Sequence, residues 1–171
     1  EDGTPCNAAY GFANTLIGYL AQKRPTHFAV TFDHGLETFR QELDPDYKSN
    51  RPPAPDDLVP QFELCAQVAA ALGAPVYQQA GFEADDLLAT LAKQLVKKGA
   101  DVVLVTADKD LSQLVREDGR ITIYDLARDR KVDAAAVREQ FGVSPHQIPD
   151  YFGLVGDAID CIPGVPGIGA K

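Results

Sequence analysis

Apolar residues recur at helical spacing near the start of the chain, at Tyr10, Ala13, Leu16, Ile17 and Leu20. They predict an amphipathic helix from Asn7, as N-cap, to about Lys23. Arg24-Pro25-Thr26 ends it. The unbroken run from His27 to Phe32 then reads as a buried strand ending at Asp33. Residues 37–58 lose apolar periodicity and carry Pro45, Pro52, Pro53 and Pro55, the pattern of a mobile excursion from the sheet. Beyond it the spacing predicts a helix from Leu58 to Leu72, a short strand at Pro75–Tyr77, and a helix from Glu83 to Lys98. A buried strand follows at 101–106, then a short helix at 110–115 and a hairpin pairing 121–124 with 131–132. Asp133 caps a helix to Phe141, and Ser144-Pro145 starts another that runs to about Gly156. The last nine residues are too rich in Gly and Pro for a regular element. Strands alternating with helices predict an α/β fold, a mostly parallel central sheet flanked by helices.

A length of 171 residues suits one domain, and 45% hydrophobic residues supply a core. No apolar run approaches the roughly 20 residues of a membrane span. The polar start carries no signal-peptide pattern, and the lack of Met makes the chain read as part of a longer protein. Cys6, Cys65 and Cys161 are scattered and odd in number, which predicts free thiols in a reducing cytoplasm. The formal net charge of −9 opposes nucleic-acid binding, which usually asks for a basic surface. Acids clustered around bound cations would weaken that objection.

Carboxylates do cluster. Glu83, Asp85 and Asp86 precede a helical apolar run, Asp108 and Asp110 follow a strand, and Asp157 and Asp160 lie near the end. Each has a local reading. Acids favour a helix N-terminus, and Asp33, Asp108 and Asp110 suit turns or caps. Asp157 and Asp160 suit a solvated loop. A parallel sheet, however, could bring Asp33 and the strand-following clusters to one edge, as open α/β sheets do with their sites. Crowded there, they would repel unless paired with cations. Mg²⁺ or Mn²⁺, hard ions that prefer oxygen, are the natural counter-charge. Two such ions can activate water in phosphodiester hydrolysis. His27, His34 and His146 are too far apart in sequence to suggest zinc.

Taken in order, these motifs resemble the structure-specific 5′ nucleases: the flap endonucleases and bacterial 5′–3′ exonucleases, including the N-terminal domain of DNA polymerase I. Tyr10-Gly11-Phe12 is similar to the family's first helix, and Phe32-Asp33 with Phe39-Arg40 to its second acid-bearing strand. Tyr47-Lys48 with Arg51 and Pro55 resembles its helical arch. Gly81-Phe82-Glu83-Ala84-Asp85-Asp86 resembles its central motif, and the two later acidic pairs the next two. The tail from Gly164 to Lys171 resembles the start of a helix-hairpin-helix.

The resemblance implies a PIN-like fold: a nuclease domain over 1–160, with an arch at about 37–58, and the start of a helix-hairpin-helix over 161–171. It implies Asp33, Glu83, Asp85, Asp86, Asp108, Asp110, Asp157 and Asp160 as metal ligands, direct or through water. Lys48 and Arg51 would hold the phosphate near the scissile bond, on one face if the stretch is helical. Arg40, Tyr47, Gly164, Gly167, Gly169 and Lys171 would contact DNA, with K⁺ held at the helix-hairpin-helix. A DNA polymerase domain in the same chain is a further implied partner. Departures are the family's earlier acid-bearing strand, expected upstream of Glu1, and Cys161, where Asn is common after the last acid. Ala158-Ile159 likewise replaces small polar residues. Other readings are a non-catalytic DNA-junction binder of the same fold and an acidic, doubly wound phosphotransfer or signalling domain. The first would lack metal-dependent cleavage, and the second leaves the Gly-rich tail unexplained.

Overall fold

The computed structural model describes residues 3–35 and 37–169. Along the chain run α1 (Asn7–Lys23), β1 (Val30–Thr31), α2 (Phe39–Leu43), α3 (Val59–Ala71), β2 (Val76–Tyr77) and α4 (Ala84–Lys97). Next come β3 (Val102–Val105), a 3-10 helix (Asp110–Leu114), β4 (Ile121–Asp125) and β5 (Arg130–Val132). Last are α5 (Ala134–Phe141), a second 3-10 helix (Pro145–Gln147) and α6 (Ile148–Val155). The elements form two compact units. One holds the chain up to Gly35 with Arg51–Ala84; the other holds Glu37–Asn50 with the chain from Asp85 to Gly169. Among the described residues no helix is long and apolar enough to cross a membrane.

In the first unit α1 packs against α3. The α3 face is made of Cys65, Ala66 and Ala69, all buried at helical spacing, and such small side chains allow helix axes to approach closely. Asn7 is not the N-cap. Cys6 takes that position and makes no side-chain cap bond. Gln61 of α3 satisfies the helix end instead: its Oε1 accepts the N–H groups of Ala8 at 2.7 Å and Ala9 at 3.3 Å. Arg24 closes α1 in the left-handed conformation, as the Arg-Pro break suggested. The strand expected over 27–32 shortens to β1, parallel to β2 with Val30 opposite Val76 and Thr31 opposite Tyr77. Pro75 has no N–H to extend the ladder back towards Phe28, although the Phe32 N–H still donates to the Tyr77 carbonyl at 3.0 Å.

In the second unit the strands run in the order β3-β4-β5, the first pair parallel and the second antiparallel. Every position of β4 is buried, as a central strand requires. Leu88, Ala92 and Val96 of α4 face a core built from Leu104, Ile121, Ile123, Val137 and Ile148, so α4 buries one stripe at i, i+4, i+8. Asp133 caps α5 as expected, accepting the Ala136 N–H at 3.0 Å. The excursion after residue 37 is more ordered than its composition suggested. Thr38 and Gln41 form a capping box that starts α2, and residues 45–50 form turns. No helix spans Lys48 and Arg51, so they share no helical face; they also fall in different units.

Candidate metal centre

Parallel strands need a long crossover, and the chain between β3 and β4 uses it to display carboxylates. Thr106 extends the ladder, its N–H donating to the Tyr124 carbonyl at 3.2 Å. Two side-chain turns follow. Thr106 Oγ1 accepts the Asp108 N–H at 3.0 Å, and Asp108 Oδ1 accepts the Asp110 N–H at 2.8 Å. Asp108 is thereby exposed at the start of the 3-10 helix while Asp110 turns half inward.

The second acid-bearing loop follows α6. Asp157 and Ile162 exchange both main-chain hydrogen bonds at 2.8 Å, pinching the loop between them. Gly156 and Gly164 permit the pinch. Both have positive φ, and a Cβ on Gly164 would lie 2.5 Å from the Gly156 nitrogen, closer than any side chain tolerates. Cys161 also takes a positive φ, 62°, a conformation Asn adopts more readily. Held this way, Asp157 and Asp160 are 8% and 9% exposed, and Asp157 Oδ1 accepts the Ile159 N–H at 3.0 Å.

The two loops bring Asp110, Asp157 and Asp160 together, each offering a carboxylate oxygen within 4.8 Å of the others. At an effective dielectric near 20, two unit charges at that spacing repel by about 3 kcal/mol. Lys109 supplies a cation: its Nζ pairs with Asp157 and lies 3.2 Å from Asp110 Oδ1. Burial pushes the Asp110 carboxyl up, and neighbouring Asp108 adds to this, beyond what Lys109 draws back. Burial acts the same way on Asp157, but the Lys109 hydrogen bond and the Ile159 N–H outweigh it and hold that carboxyl low. Lys109 resists its own burial through the same carboxylates, which raise its pKa. An all-oxygen donor set that already draws an ammonium group fits a hard divalent cation.

The remaining predicted acids have other partners. Asp86 takes a two-pronged pair from Arg40, with Nη1 at 2.7 Å from Oδ2 and Nη2 at 2.8 Å from Oδ1. Asp85 lies half-buried in the first turn of α4. In the first unit, Asp33 Oδ1 accepts the Ala84 N–H at 2.7 Å, and Glu83 is half-buried. The stretch 47–50 docks on the last acid loop. The Lys48 N–H donates to the Asp160 carbonyl at 3.1 Å, the Tyr47 hydroxyl to Asp160 Oδ2 at 3.5 Å, and Asn50 Nδ2 to the Ala158 carbonyl at 3.2 Å. Arg51 is exposed in the first unit. Gly167 and Gly169 have open space around them, and Lys171 lies outside the described residues. Sequence reasoning gave Lys109 no role, although its place between Asp108 and Asp110 was a signal. It also missed the Arg40–Asp86 pair, whose members lie 46 residues apart, beyond the reach of any spacing rule.

Fold and site together define a mixed α/β protein that gathers carboxylates on two loops of one unit. The chain matches the family model described as the 5′-3′ exonuclease N-terminal resolvase-like domain over residues 1–142, and it belongs to that family. It is 44% identical over 169 residues to DNA polymerase I of Pseudomonas aeruginosa, covering 99% of this chain and 18% of that protein. With a 5′-3′ exonuclease of Aquifex aeolicus it shares 39% identity over 169 residues, 99% of this chain and 58% of the relative. A solved T5 5′-exonuclease with bound zinc superposes with a TM-score of 0.80 at 26% identity, over 95% of this chain and 64% of that one. The chain thus spans less than two thirds of each of these proteins.

Proposed function

We propose that this chain is the nuclease part of a metal-dependent 5′–3′ exonuclease or flap endonuclease that hydrolyses DNA near 5′ ends during replication and repair. Supporting it most is the gathering of Asp110, Asp157 and Asp160 around a cation position in a member of the 5′-3′ exonuclease family. Those three acids would hold Mg²⁺ or Mn²⁺, with Asp85, Asp86 and Asp108 serving directly or through water. In the first unit, Asp33 and Glu83 are proposed for the same duty. When bound, such an ion lowers the pKa of a coordinated water and offsets charge on the phosphate.

The chain's own residues do the rest. In the second unit Lys48 holds the phosphate near the scissile bond, Arg40 contacts DNA and Tyr47 stacks on a base; in the first unit Arg51 is proposed for phosphate contact. Water adds to phosphorus, the bond from phosphorus to the leaving oxygen breaks, and that oxygen departs with a proton. Gly164, Gly167, Gly169 and Lys171 begin a helix-hairpin-helix that meets the duplex backbone, with K⁺ bound there. Residues 1–160 form the catalytic domain, which works in the cytoplasm, as a separate enzyme or beside a DNA polymerase domain of the same chain. Digestion of a 5′-labelled flap duplex by the full-length protein tests this reading. Cleavage is expected with Mg²⁺ and none with EDTA; cleavage that survives EDTA, or none in any metal, overturns it.

A further inference from the structure

The fold sets Lys109 among the proposed ligands on a fixed seat. Its Nζ pairs with Asp157 and Asp110, and the Phe152 ring lies across from it, its centroid 4.3 Å away. Phe152 is itself packed edge-on against Phe141 and Tyr151, at 5.8 and 5.2 Å between centroids. Two carboxylates and an aromatic face therefore offer the ammonium negative potential from separate directions. The side chain is only 33% exposed, so water screens these attractions incompletely. Asp110 and Asp157 are also two of the acids that converge within 4.8 Å. A divalent ion drawing on their oxygens has to take them from the ammonium.

We propose that Lys109 is a built-in counter-cation: it neutralises the Asp110–Asp157 pair in the metal-free protein and competes with divalent ions for it. This inference rests on the metal-centre reading above and adds the regulation of that site. Lys109 spares the metal-free fold the repulsion of two inward carboxylates. It also lowers the affinity for metal, so that occupancy follows the free divalent concentration.

Calorimetric Mn²⁺ titration of the full chain tests it, using wild type, Lys109→Met, Lys109→Gln and Lys109→Arg. Met keeps a long stem against Phe152 and removes the charge. Lys109→Met and Lys109→Gln are expected to bind Mn²⁺ about tenfold more tightly, the scale of one removed charge a few ångströms away. Without metal both should melt at lower temperature, while Lys109→Arg stays close to wild type in both respects. Misfolding would weaken binding, so it cannot imitate the expected result. If Lys109→Met fails to fold by circular dichroism, Lys109→Gln decides by the same criterion. Unchanged or weaker Mn²⁺ binding in a folded neutral variant overturns the proposal. Flap cleavage is scored separately. Tighter binding without cleavage sinks the nuclease reading alone, metal-dependent cleavage without tighter binding sinks the counter-cation alone, and no Mn²⁺ binding by any variant sinks both.

Discussion

Gln61 in the first unit and the Asp110–Asp157 pair in the second are both polar groups drawn inward, and they are satisfied differently. Gln61 is 1% exposed. Its carbonyl oxygen accepts two N–H groups of α1, and its amide donates to Asn7 at 3.2 Å and to the Asp57 carbonyl at 2.9 Å. Both acceptor positions and both donors are used, so nothing remains for a ligand. Asp110 and Asp157 share one ammonium, and the Asp110 carboxyl is still pushed up. Among the described residues no buried side-chain polar atom lacks a partner in either place, but charge is balanced in only one. A closed polar group rigidifies a core, whereas carboxylates left with excess charge in a low dielectric invite a cation.

Changing the acids should separate the two regions most. Asp157→Asn keeps an oxygen for the Ile159 N–H but removes a charge. It is expected to lower Mg²⁺-dependent flap cleavage by about 100-fold or more, beyond the usual cost of losing an outer-sphere partner. Single-turnover assays over a Mg²⁺ series would measure it, and cleavage within a few-fold of wild type would deny Asp157 a place in the site.

A smaller effect of another kind is expected at Gln61. Gln61→Ala leaves the Ala8 and Ala9 N–H groups without their partner, at a cost of about 1–3 kcal/mol. Urea unfolding should register that loss while Mn²⁺ affinity stays at the wild-type value. A drop in affinity matching the drop in stability would erase the distinction between a structural polar group and a site.

The smallest effect concerns Asp125, a buried acid that does have its own base. The Arg128 side-chain hydrogen bond holds its carboxyl below the usual range, against the opposing pull of burial. A carboxyl depressed in the folded state adds stability above its unfolded pKa of about 3.9, and that stability is lost as pH falls through the lower folded value. Asp125→Asn should therefore melt slightly below wild type at neutral pH, with the gap closing below about pH 4. Melting curves across that range check it; a gap that widens in acid would reverse the assigned sign.

Local chemistry by itself determined much of this protein. Asp133 before an apolar-spaced run made an N-cap, Gly99 followed the end of α4, and β3 lay where the Val-rich run placed it. These depend on neighbours within a turn or on a short apolar run, which a linear pattern carries. The order of the acidic motifs likewise pointed to the 5′ nuclease family before any geometry was known. Tertiary structure decided what each polar side chain does. Gln61 caps α1 from 53 residues away, Arg40 meets Asp86 across 46, and Lys109 meets Asp157 across 48. It also shortened β1 and ordered the stretch after residue 37. Long-range pairing depends on which loops the packed core brings together, and no spacing along the chain encodes that distance.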